Sequence, residues 1–215
     1  GATTVTNAGT FTTKSGNAAN LSSTGAFTQN GAGANSLGSA ITTTNAAISL
    51  AAPVVLTSGI QLSTQAAAGI GDITLLSTVD ATAAEAQGLG LAAGTGTIAV
   101  TGPTGGATRL GALAIASAAN AAFTNAVIAA SFAQAAGSGT TTFSSTQNYT
   151  GNFAFIGGGL TVDAGWTVGG TTTVTNGGTL TTRAGNAASL SSALAFTQNG
   201  AGGSSLGSNV TTANA

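Results

Sequence analysis

An all-β chain wound as a β-solenoid, with about 20–24 residues to the rung, is the fold class this sequence predicts. Three observations predict it. The chain contains a long internal repeat, its apolar residues recur in pairs spaced by two, and its composition is dominated by small uncharged side chains.

The repeat comes first, because a fixed long period redefines what a domain is. Residues 5–46 read VTNAGTFTTKSGNAANLSSTGAFTQNGAGANSLGSAITTTNA, and residues 174–215 read VTNGGTLTTRAGNAASLSSALAFTQNGAGGSSLGSNVTTANA. The offset is 174 − 5 = 169 without a gap, and about 30 of 42 positions are identical. Lys14/Arg183 and Ile41/Val210 are conservative exchanges. The organisation expected is one continuous segment over 1–215, in which 1–169 is a full period and 170–215 begins the next, as in a piece of a larger tandem array.

The finer rhythm lies inside the period. Ile48/Leu50, Ile60/Leu62, Ile73/Leu75, Leu89/Leu91, Ile98/Val100, Leu113/Ile115, Phe153/Phe155, Leu160/Val162 and Trp166/Val168 each place two apolar side chains on one face of a strand. Between them stand turn sequences such as Asn30-Gly31, Ala68-Gly69, Gly105-Gly106, Gly157-Gly158-Gly159 and Asn176-Gly177. Sandwiches and barrels also use short strands and regular turns. The coil is preferred because Ala and Gly fit its tight corners and each rung touches only its neighbours. With about 20–24 residues to a rung, one period makes about seven or eight rungs, an advance of about 34–38 Å at ~4.8 Å each. The Ala-rich stretch from Leu110 to Ala136 has the composition of a helix. Its pairs nevertheless fit rungs, and strand is the expectation.

Composition narrows function. Only 3% of residues are charged while 42% are hydrophobic, with mean hydropathy +0.38 and net charge −1. Lys14, Arg109 and Arg183 are too few and too scattered for the phosphate contacts of nucleic-acid binding. The longest Ala-rich stretch is interrupted by Asn120, Thr124, Asn125, Ser131 and Gln134 and does not read as a membrane span.

The pieces GAFTQNGAG, GDITLLSTVD, AAGTGTIAVTG, TRLGALAIASAANAAFTNAV and AAGSGTTTFSS resemble the giant β-strand-repeat exoproteins of bacteria, which are similar to filamentous haemagglutinin and other large secreted adhesins. The resemblance covers essentially the whole chain as a repeat style. It implies a right-handed parallel β-helix, secretion to the extracellular space or cell surface, and a role in adhesion, matrix or filament formation.

Candidate chemistry is sparse. The sequence has no His and no Cys, so triads, imidazole metal sites and disulfides are not available to it. Its acids are Asp72, Asp80, Glu85 and Asp163. Asp80 and Glu85 are the one pair that could serve glycoside hydrolysis, against the plainer reading that they solvate the loop DATAAEAQ. Gly157–Asp163 reads GGGLTVD, one position away from a calcium-repeat motif and without a tandem copy. Asn20, Asn148 and Asn209 open glycosylation sequons of the kind expected by accident in such a composition. Trp166 is expected in the core, while Tyr149 could be core or sugar-stacking surface. The runs Thr42–Thr44, Thr140–Thr142 and Thr171–Thr173 and the pair Thr179/Thr181 offer Thr-x-Thr, the pattern of ice-binding coils, at uneven spacing.

The expectation is therefore a passive structural fibre, matrix or adhesin-stalk segment, not an enzyme, without catalytic, cofactor or metal residues. Its expected partners are further copies of itself, end to end or side by side, and cell-surface or matrix polysaccharide. Nucleic acid and membrane insertion are not expected. The alternatives are an ice-binding coil and a polysaccharide-binding or -cleaving β-helix.

Overall fold

A computed structural model of the chain describes residues 1–14, 20–65, 69–185 and 187–213. Ala68 of the expected Ala68-Gly69 turn and the final Ala215 of the repeat lie outside the described residues. Among those residues there is no helix, and parallel strands stack as a β-solenoid of about 10 turns.

Each rung carries up to three short strands, one on each of three faces. The first rung is β1 (Thr3–Val5), β2 (Phe11–Thr13) and β3 (Leu21–Ser23), and the second is β4 (Phe27–Gln29), β5 (Asn35–Leu37) and β6 (Ile41–Thr43). The third is β7 (Ile48–Leu50), β8 (Val54–Leu56) and β9 (Ile60–Ser63), and the fourth β10 (Ile73–Leu75), β11 (Val79–Ala81) and β12 (Leu89–Ala92). The fifth holds β13 (Thr97–Val100) and β14 (Leu110–Ser117), and the sixth β15 (Asn120–Phe123) and β16 (Val127–Gln134). The seventh is β17 (Thr140–Phe143), β18 (Gln147–Tyr149) and β19 (Phe153–Gly157), and the eighth β20 (Gly159–Val162), β21 (Trp166–Val168) and β22 (Thr172–Asn176). The ninth is β23 (Leu180–Thr182), β24 (Leu190–Ser192) and β25 (Phe196–Gln198), and the last β26 (Ser204–Leu206) and β27 (Val210–Thr212).

Face 1 is a ten-stranded sheet from β1 to β26. Faces 2 and 3 merge where β14 and β16 run round the corner between them: Val127 and Ala129 of β16 pair with β18, whereas Phe132 and Gln134 pair with β19. In the fifth rung face 2 shrinks to Thr104, which bridges Val79 below and Val127 above. The stretch 110–136 is thus strand, as expected: Leu110, Leu113, Ile115, Phe123, Val127 and Phe132 point inward, Ala112, Ala122 and Ala133 face outward, and pairing on both edges overrides the helical propensity of alanine. On face 1 the advance per rung runs from 160 − 141 = 19 residues, Thr141 to Leu160, to 73 − 48 = 25, Ile48 to Ile73, bracketing the expected length, and on face 3 it reaches 89 − 60 = 29 between Ile60 and Leu89.

All nine predicted pairs point inward and are buried. Fully enclosed on both sides by neighbouring rungs, they form one continuous apolar column along the axis. Between the sixth and eighth rungs the column turns aromatic. Phe123 stacks on Phe143 at 4.9 Å, Phe132 on Phe153 at 4.8 Å, and Phe153 meets Trp166 edge-on at 4.5 Å. Several inward positions are polar and escaped the apolar pairing rule, among them Gln29, Asn35, Gln134 and Gln147. Each has a partner suited to the interior: Gln134 Oε1, for example, accepts from Thr141 Oγ1 at 2.7 Å. The triple glycine 157–159 is less turn than expected, since Gly157 ends β19 and Gly159 begins β20, leaving Gly158 as the corner.

The two copies of the repeat rebuild the same strands on different faces. Five pairs, β2/β23 to β6/β27, match bound for bound at an offset of 180 − 11 = 169. β1, at Thr3–Val5, corresponds to 172–174 within β22. Yet β1 and β4 belong to face 1, while β22 and β25 belong to face 3; β2 and β5 are on face 2, while β23 and β26 are on face 1. The corner chemistry moves with them. Gln29 Nε2 donates to Asn7 Oδ1 at 2.7 Å, and Gln198 Nε2 to Asn176 Oδ1 at 2.7 Å. Thr6 Oγ1 donates to Asn30 Oδ1 at 2.6 Å, and Thr175 Oγ1 to Asn199 Oδ1 at 2.6 Å. Counting rungs, one period makes seven turns and two faces of an eighth. Leu37 and Ile41 are 0% exposed beneath the third rung, whereas their counterparts Leu206 and Val210, with no rung on them, are 50% and 36% exposed.

Candidate functional site

The few charged groups are the first place to look for chemistry. Asp80 is the outward residue at the centre of β11, and its Oδ1 accepts from the backbone N–H of Ala107 at 2.8 Å and Thr108 at 3.1 Å. Glu85 sits in the loop that follows, in the left-handed region with φ 63°. Its Oε1 lies 3.5 Å from Arg109 Nε and accepts from Thr150 Oγ1 at 2.8 Å. The two candidate acids therefore have separate structural partners, and each carboxylate is engaged with protein donors. Asp72 Oδ1 accepts from Thr97 N at 2.7 Å and Thr97 Oγ1 at 2.9 Å, tying the fourth rung to the fifth. Asp163 is half-buried at the end of β20, where its N–H donates to Phe143 O at 2.9 Å. Among the described residues, no three acidic groups gather where a metal ion could sit.

Arg109 was legible in the sequence only as one scattered cation. In the structure it is a staple. Its Nη1 donates to Ala129 O at 3.0 Å and Asn148 O at 3.0 Å, and its Nη2 to Asn148 Oδ1 at 2.8 Å. With Glu85 on its other side, it spans the place where face 2 is reduced to Thr104. A planar guanidinium with donors in a fork is the side chain suited to bridging carbonyls of successive rungs. The residues it joins are 20 to 39 positions apart, so no local motif announces it.

The aromatic candidates for sugar stacking are inside. Trp166 and Tyr149 are both 1% exposed. Tyr149 Oη donates to Gln147 Oε1 at 3.1 Å, and burial pushes its phenol well above the ordinary tyrosine range.

The surface includes three further features. The first is a column of outward residues at the strand centres of face 1: Thr4, Thr28, Ser49, Thr74, Ala99, Ala122, Thr142, Thr161, Thr181 and Ser205, each in register with the next. The uneven sequence spacing of threonines hid this column, because rungs differ in length. It is one hydroxyl wide over most of its length. The runs separate: Thr43 points inward and is buried, while Thr140 and Thr142 both face outward around buried Thr141. The second is an apolar groove of about 460 Å³ on face 3, floored by Gly90, Ala114, Ala133 and Ala154 and flanked by Gln61 and Ile156. The third is a glycine- and threonine-lined notch of about 490 Å³ where Thr140, Thr161, Thr179 and Thr181 approach the corner glycines. Among the described residues, no helix is long and apolar enough to cross a membrane. Compared with protein-family models, curated proteins and solved structures, the chain matches none.

Proposed function

We propose that this chain is a rod segment of a secreted or cell-surface fibre, matrix or adhesin stalk, with a mechanical and spacing role and no catalysis. The observation that carries the reading is the change of face between the two copies of the repeat. The repeat carries the same rung-to-rung pairing from one face to another, Thr3 with Phe27 on face 1 and Thr172 with Phe196 on face 3, so what recurs is a unit that stacks rungs on whichever face it reaches. The repeat style, similar to that of giant secreted β-strand-repeat exoproteins, supports the extracellular setting.

Electron microscopy of arrays with one, two and three periods tests this. Particle length should rise by about 37 Å per added period, at ~4.8 Å per rung. Particles that stay compact would overturn it, as would release of sugars from a polysaccharide panel that is lost on Asp80→Ala or Glu85→Ala. The in-register hydroxyl column of face 1 favours ice binding as the second reading. Inhibition of ice recrystallisation that disappears on Thr161→Lys would establish that reading instead.

A further inference from the structure

We propose that the long period acts as a threefold screw. In an array of this period each copy is advanced by about 37 Å (~4.8 Å per rung) and turned by one face relative to the copy before it. The inference rests on the rod reading and deepens it.

The turn is already visible within the chain. Advancing by one period carries face 1 to face 3, as β4 to β25; face 2 to face 1, as β5 to β26; and face 3 to face 2, as β6 to β27. A second advance continues the cycle, and a third closes it, because three times seven and two-thirds turns is 23 whole turns.

The faces can be exchanged because they are built alike. Every strand of the first block places one hydroxyl residue outward at its centre: Thr4, Thr12, Ser22, Thr28, Ser36 and Thr42. The second block does so with Thr181, Ser191, Thr197, Ser205 and Thr211, while the longer β22 places Thr173 and Thr175 outward on either side of Val174. The Asn–Gln corner keeps its 2.7 Å bond at either position. Among the described residues, nothing in the block marks one face as its own.

What is not equivalent round the coil is the region between the blocks. There the groove of Gly90, Ala114, Ala133 and Ala154 lies on face 3. The screw sends its next copy to face 2 and the one after to face 1. A second rod lying alongside therefore meets the groove once in about 110 Å on any one side, three periods at ~4.8 Å per rung. One groove crosses about five rungs, roughly 24 Å of the about 110 Å between its recurrences on one side. Turning the grooves apart stops them adding up along one line. Rods of this period present the same surface in three directions and do not zip into flat ribbons.

The native chain has no cysteine, so one label site per period can be introduced cleanly. An array of three periods carrying Ala133→Cys in each, tagged with gold and imaged by electron cryomicroscopy, reads the screw directly. Successive labels should be displaced by about 37 Å and rotated by about 120°, with a layer line near about 110 Å. The same array carrying Thr142→Cys on face 1 should give the same rotation, and it serves if Ala133→Cys fails to fold. Labels in a straight line on one side of a well-formed rod would overturn the screw while leaving the rod reading intact. Compact particles would overturn both.

Discussion

Replacing Gln29 by alanine removes the most heavily bonded buried side chain at a corner of the coil. Gln29 is fully buried. Its Nε2 donates to Asn7 Oδ1 at 2.7 Å, Gly31 O at 2.8 Å and Gly33 O at 3.2 Å; its Oε1 accepts from Asn35 Nδ2 at 3.3 Å and Ala52 N at 3.1 Å. Two amide hydrogens shared among three acceptors make this about four bonds' worth, each contributing about 1 kcal/mol net. Asn35 Nδ2 keeps Ala52 O and Pro53 O as acceptors. The N–H of buried Ala52 loses its side-chain acceptor, at a cost of about 1–3 kcal/mol. The expected loss is about 3–5 kcal/mol. Gln198, the same residue of the second copy, is half-buried and bonds Asn176 Oδ1 and Gly202 O. Water can replace it there, and Gln198→Ala should cost about 1 kcal/mol. Because rungs couple mainly to their neighbours, hydrogen exchange resolved to peptides over 27–56 and 196–206 is the assay, with urea midpoints beside it. Equal losses in the two variants, or protection over 27–56 unchanged in Gln29→Ala, would refute the claim that the corner network is what fixes the second rung.

Three further outcomes follow from other parts of the coil. Arg109→Ala should cost about 2–3 kcal/mol through three charge-assisted bonds, with Arg109→Lys recovering only part; a urea midpoint equal to the parent's would show that the staple does nothing. Gly105→Ala should cost more than about 3 kcal/mol, since φ +71° alone strains an L-residue by roughly 1–2 kcal/mol and its Cβ would fall 1.9 Å from Ile128 O. Gly165, whose Cβ would meet nothing within 4 Å, is the control and should change by less than ~0.5 kcal/mol. Tyr149 titrates higher folded than unfolded because it is buried. Above about pH 10 the unfolded chain therefore loses the proton first, so stability holds below that pH and falls as pH rises. Tyr149→Phe should flatten that alkaline fall, and an unchanged alkaline slope would argue against burial of the phenol.

Much of the fold is written locally. Ile48/Leu50 or Leu160/Val162 announce an inward strand face because side chains alternate with a period of two, whatever surrounds them. The same rule fails where the interior is polar: Gln147 with Tyr149, or Thr172 with Val174, are buried inward pairs that apolar patterning passes over. The composition excluded imidazole and thiol chemistry outright, since no later folding step can supply a missing side chain. It likewise raised Asp80 and Glu85 as a pair, and only their hydrogen bonds and the Arg109 contact assign them to separate structural tasks.

By itself the sequence determined that this chain builds short rungs of similar length and that a block of them recurs after one long period. Which face each strand takes was decided by the tertiary structure alone. A strand's face depends on the running total of corner and strand lengths along the coil, and that total grows unevenly, by less from Thr141 to Leu160 than from Ile48 to Ile73. Those differences accumulate, so near-identical segments such as Phe27–Gln29 and Phe196–Gln198 arrive on different sides. The hydroxyl column of face 1 and the Arg109 staple are decided in the same way, because both join residues whose only relation is to lie on neighbouring turns.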